Sequence, residues 1–116
     1  MTNSTHTSTQ EAVRDWARGM YSLEAGTELL IRSGRIYDGA PWVVRESAHR
    51  TYIDVDVLAD SMGVWSGGEQ RVARIAASLL GGSPVRLDDD IPGLDRPSLD
   101  LVLAALHDAV ARANEL

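Results

Sequence analysis

The chain has 116 residues and a formal net charge of −6, enough length for one domain with a real core and little room for a second. It carries eleven arginines but no lysine, cysteine or phenylalanine. Those absences exclude disulfides, thiolate zinc sites, thiol nucleophiles, Schiff-base lysines and a P-loop lysine.

Residues 1–8 read as a flexible polar tail and residues 9–116 as a single α+β domain. Ser8 and Glu11 have capping-box spacing, and behind them Val13, Trp16, Ala17 and Met20 recur at helical period. The stripe continues through Leu23, Leu30 and Ile31 to about Ser33, as one helix or as two with a break near Ser22, with Gly34 placed to end it. Arg35–Tyr37 and Trp42–Arg45 flank Asp38-Gly39-Ala40-Pro41, which predicts a hairpin. Tyr52–Val57 alternates, with Ile53, Val55 and Val57 on one face and Tyr52, Asp54 and Asp56 on the other. A small antiparallel sheet of about three strands follows.

Ser66 and Glu69 form a second capping-box pattern ahead of Val72, Ile75, Ala76, Leu79 and Leu80, and Gly81-Gly82 closes that helix. Pro84–Leu87 reads as a short edge strand and Asp88–Pro97 as a loop. The last helix starts near Pro97-Ser98 and lines up Leu99, Val102, Leu103, Leu106, Val110 and Ala113. The order is an N-terminal helical segment, a small sheet and two C-terminal helices.

Ser66-Gly67-Gly68-Glu69-Gln70-Arg71-Val72-Ala73 resembles the signature motif of ABC-type ATPases. Leu87-Asp88-Asp89-Asp90-Ile91-Pro92-Gly93-Leu94-Asp95 resembles their Walker B segment and D-loop, so the likeness spans residues 66–106. It implies that Ser66, Gly67, Gly68 and Glu69 contact a phosphate at a helix N-terminus, where exposed N–H groups and the dipole favour anions. The chain departs from that family in having no GxxxxGK[ST] motif, and Asp89 stands where the family has its catalytic glutamate. The whole-chain texture, arginine without lysine and rich in alanine, is similar to that of small actinobacterial proteins, a likeness that implies no activity.

Asp54 and Asp56 on one strand face are the candidate ligands for a divalent cation; a solvated strand face gives the same pattern without one. His6, His49 and His107 have no zinc-ligand spacing. Trp42 and Trp65 read as core filling in a chain without phenylalanine, or as partner anchors. Arg14, Arg18 and Arg32 can cluster, but an acidic chain with interleaved arginines lacks the basic stripe of a general nucleic-acid binder. No apolar run nears the length of a membrane span, so a cytoplasmic protein with no membrane partner is expected.

The leading functional expectation is a non-enzymatic acidic interaction or regulatory module that binds another protein or a second copy of itself, with no cofactor and no catalytic residues. The alternative is a phosphate- or nucleotide-associated module at the Ser66–Glu69 helix start. The third is a metal-dependent enzyme built on Asp54 and Asp56.

Overall fold

The N-terminal stripe folds as two helices. The computed structural model describes residues 5–114, with side chains from residue 9; it places α1 over Thr5–Ala17 and α2 over Tyr21–Arg32. The break falls at residues 18–20 rather than near Ser22, because the Gly19 N–H turns to the Glu24 carboxylate in the first turn of α2, 2.8 Å away. Ser8 lies inside α1, so the Ser8–Glu11 pattern does not mark a helix start. Residues 1–4 of the expected tail and Leu116 lie outside the described residues. Gly34, at φ +82, ends α2 in a Schellman motif: the Arg35 N–H donates to Leu30 O at 2.8 Å and the Gly34 N–H to Ile31 O at 3.0 Å.

Among the described residues the sheet has two strands, not three. β1 (Val43–Ser47) pairs antiparallel with β2 (Arg50–Ile53), with Val43 opposite Ile53, Arg45 opposite Thr51, and an irregularity at Glu46. The hairpin turns at Ala48-His49, not at Asp38–Pro41. The Asp38–Pro41 segment makes tight turns instead, with Ala40 N–H donating to Tyr37 O and Val43 N–H to Ala40 O. Pro41 offers no N–H to a ladder. The Arg35 carbonyl accepts the Trp42 indole N–H at 2.9 Å, so Arg35–Tyr37 forms no strand although Ile36 is buried.

The expected strand over Tyr52–Val57 stops at Ile53. Asp54 accepts the backbone N–H groups of Asp56 and Val57 at 3.1 and 3.2 Å and starts α3 (Val55–Ser61). An aspartate that satisfies two orphan donors of a helix start outcompetes a strand ladder that would leave its side chain idle.

A short 3-10 turn over Met62–Val64 leads to α4 (Gly67–Leu79), whose exit bonds the Gly82 N–H to Ala77 O at 2.8 Å. Pro84–Leu87 is not a strand. The Arg86 carbonyl accepts the N–H groups of Asp89 and Asp90, which winds the single-turn α5 (Leu87–Asp90) where a loop was expected. α6 (Arg96–Asn114) begins behind Asp95, whose carboxylate accepts the Ser98 N–H at 2.8 Å. The molecule is thus a mixed helix and sheet fold with four helices, not two, after the hairpin.

α2 is the central element, packed against α1, α4 and α6, while β2 lies on α1 and α3 on α4. Val13, Leu29, Leu30, Leu58 and Val102 are almost fully buried in one cluster that also takes in Trp42. The face that α6 turns inward differs from the expected stripe. Val102 and Ala105 are buried and Leu101 and Ala109 pack on the core, whereas Leu103, Leu106 and Val110 are exposed by 53%, 40% and 60%. α6 packs on α2 and turns the small Ala105 and Ala109 toward the core while the larger leucines stay outside.

Candidate functional site

The Ser66–Glu69 helix start forms as a reciprocal cap. The Glu69 N–H donates to Ser66 Oγ at 3.2 Å, and the Ser66 N–H donates to Glu69 Oε1 at 2.9 Å. The second Glu69 oxygen lies 3.1 Å from Arg35 Nη2. The Arg35 guanidinium in turn sits 4.2 Å above the Trp65 ring, which meets Trp42 edge-on at 5.5 Å. The Glu69 carboxyl is held below its ordinary value first by the Ser66 N–H, then by the Ser66 hydroxyl and by Arg35. The charge that a phosphate would bring to this helix start is therefore already supplied by Glu69. Arg71, one turn further, lies against Gly67 and Gly93, with its Nε buried and lacking a hydrogen-bond partner.

Asp54 and Asp56 are not neighbours on a strand. Asp54 is the cap of α3 and Asp56 an exposed residue in its first turn. No group of three or more His, Asp or Glu side chains with metal-binding geometry occurs among the described residues. Of the Asp88–Asp90 run, Asp88 and Asp89 pair with Arg86 at 2.6 and 3.5 Å. Asp90 is buried and accepts two bonds from Arg74, at 2.8 and 3.3 Å. Sequence reasoning missed that pair, because a contact between residues 16 apart leaves no local pattern.

Arg14, Arg18 and Arg32 are each matched to an acid: Arg14 to Glu28, Arg18 to Asp15, and Arg32 to Glu28 and Asp108. A cleft of about 230 Å³ between α2 and α6 and one of about 330 Å³ between α1 and α2 share Glu24, Glu28 and Arg112. Arg112 reaches Glu24 at 3.3 Å and the Tyr21 ring at 5.8 Å. Glu24 is thus paired with Arg112 and Glu28 with Arg14 in the cleft walls. A third cleft of about 360 Å³, beside α3, is lined by Val55, Met62, Arg74 and Pro84, and its arginine is the one committed to Asp90.

The outer face of α6 has a different character. Leu103, Leu106 and Val110 follow one another at spacings of three and four, with half-buried Leu99 a turn before them. That spacing keeps them on one side of the helix over most of its length. Arg96, Asp100, His107 and Asn114 border the stripe on the side away from the core, all exposed. Leu103, Leu106 and Val110 belonged to the expected stripe, together with Val102, which is buried. No local signal marks them as outward-facing, because apolar residues lie along more than one side of α6 and the helical period does not say which side is buried. No helix among the described residues is long and apolar enough to cross a membrane. No protein-family model, no curated protein and no solved structure matches this chain.

Proposed function

We propose that the chain is a non-enzymatic interaction module that binds through the outer face of α6, with a second copy of itself as the partner. The observation that supports this is the exposure of Leu103, Leu106 and Val110 together on one helix face. A continuous apolar surface of that kind on a small domain marks a contact site, because isolated exposed apolar residues do not line up along an element. A two-fold pair is the simplest way to cover it, since one self-complementary patch closes the assembly. A cytoplasmic setting belongs to the same proposal.

The Ser66–Glu69 start is a weaker candidate, with its anion seat held by Glu69. Asp54 is spent as a cap. Sedimentation over a hundredfold range of concentration tests the reading: the mass should rise from 12.6 kDa toward twice that value. Leu103→Asp should stay at the lower mass with an unchanged circular dichroism spectrum. A wild-type protein that remains at the lower mass throughout overturns self-association.

A further inference from the structure

Resting on the reading that α6 carries a self-association face, we propose that two α6 helices pair antiparallel, with Asp100 of each copy meeting His107 of the other.

The first support is the symmetry of the stripe. Leu99, Leu103, Leu106 and Val110 are separated by four, three and four residues, a spacing that reads the same in both directions. Turned end for end about a two-fold axis between Leu103 and Leu106, the helix sets Leu103 against Leu106 of the second copy and Leu99 against Val110. Every large residue of the stripe then faces another, and the exposed Ala113 falls opposite the aliphatic stem of Arg96. In a left-handed pair of this kind each apolar side chain enters the gap between side chains of the facing helix.

The second support is charge. The stripe has two unlike borders: on one side Val102 and Ala109, which pack on the molecule's own core, and on the other Arg96, Asp100, His107 and Asn114. In an antiparallel pair about a two-fold axis, like borders meet. The polar border of one copy therefore runs along that of the other, Asp100 lies beside His107 twice, and Arg96 lies beside Asn114 twice. In a parallel pair the polar border would meet the partner's inner border, leaving Asp100 and His107 against Val102 and Ala109 with no polar counterpart. His107 is free to turn, with 79% of its side chain exposed and only a 3.5 Å approach to Asp108 on its own helix. The polar border sums to nearly no charge, so the net charge of −6 is carried away from the contact and opposes it weakly at physiological ionic strength.

The absence of cysteine allows one to be placed anywhere without background labelling. With Asn114→Cys carrying a nitroxide, antiparallel pairing puts the two labels roughly 28 Å apart along the helix axis, from the 1.5 Å rise per residue, whereas parallel pairing puts them side by side. A dimer with a short label distance overturns the antiparallel arrangement and leaves the self-association reading standing. A chain that shows no dimer at any concentration overturns both. Charge supplies the second arm. His107→Glu places a carboxylate opposite Asp100 at two symmetric points and should weaken the dimer about tenfold or more, and adding Asp100→Arg should restore it. Dimers of equal strength in all three proteins would remove the Asp100–His107 contact from the proposal.

Discussion

Ser66 shows how much one side chain can set. Its hydroxyl takes one orphan N–H of α4 and Glu69 answers by taking the Ser66 N–H, so Ser66→Ala should cost about 1 kcal/mol in a urea titration. Asp54 does the same for α3 with two acceptor bonds; Asp54→Ala should lose a similar amount, about 1 kcal/mol, and Asp54→Asn little, because asparagine caps as well. Asp90 is a different case, a buried carboxylate with Arg74 as its bidentate partner. Arg74→Ala should destabilise by about 2 kcal/mol, less than for a fully enclosed pair because the guanidinium is half-exposed, and Arg74→Lys should recover only part, since an ammonium cannot match both oxygens.

The helix starts also set how the fold responds to acid. Glu69 and Asp95 are held below their ordinary values chiefly by backbone N–H donors, from Ser66 and Ser98 respectively, and Asp88 by Arg86. A carboxyl whose value is lower in the folded chain stabilises it at every pH above its unfolded value and loses that effect as pH falls through the folded one. Stability should therefore be flat near neutrality and decline below about pH 4.5, where unfolded carboxyls begin to protonate. Replacing Glu69 by Gln and Asp95 by Asn together should flatten that decline in thermal melts between neutral and acid buffers; an identical acid slope would remove the caps as its cause. The crossing of α2 over α4 depends on Gly26, where a Cβ would come 2.9 Å from Ala76 O and 3.0 Å from Leu80 Cγ. Alanine there gains about 1 kcal/mol of helix propensity and loses about 1–3 to overpacking, so Gly26→Ala should be neutral to destabilising by about 2 kcal/mol in chemical unfolding, against the usual gain for this change in a helix.

For the molecule as a whole, α6 has two apolar sides and α2 covers only one. Leu106→Asp and Leu103→Asp should therefore leave the fold intact, at a cost below about 1 kcal/mol, because both positions keep access to water. Val102→Asp, on the buried side, should prevent folding, since its carboxylate would have no partner in the core. Near-ultraviolet circular dichroism separates these outcomes, because Trp42 lies in the same core as Val102 and meets Trp65, packed against that core, edge-on. Equal loss of tertiary signal in all three variants would mean that the outer face is structural.

Features whose cause is local are legible in the amino-acid sequence. The Ser66–Glu69 box, the glycines that end α2 and α4, and the amphipathic face of α4 are written within a few residues, since caps and helical periods act over a turn or two. The Asp54-Val55-Asp56-Val57 run was ambiguous at that range: its alternation fits a strand, while its aspartate fits a cap, and the hydrogen bonds available to Asp54 decided for the helix. The strand partner of Val43–Ser47, the burial of Asp90 on Arg74 and the face that α6 turns inward depend on contacts between residues far apart in the chain. In α6, apolar residues run nearly all the way round, so the helical period leaves the buried direction open. Packing against the rest of the fold settles it, because the side carrying Val102 and Ala105 is the one covered, which leaves Leu103, Leu106 and Val110 to face outward.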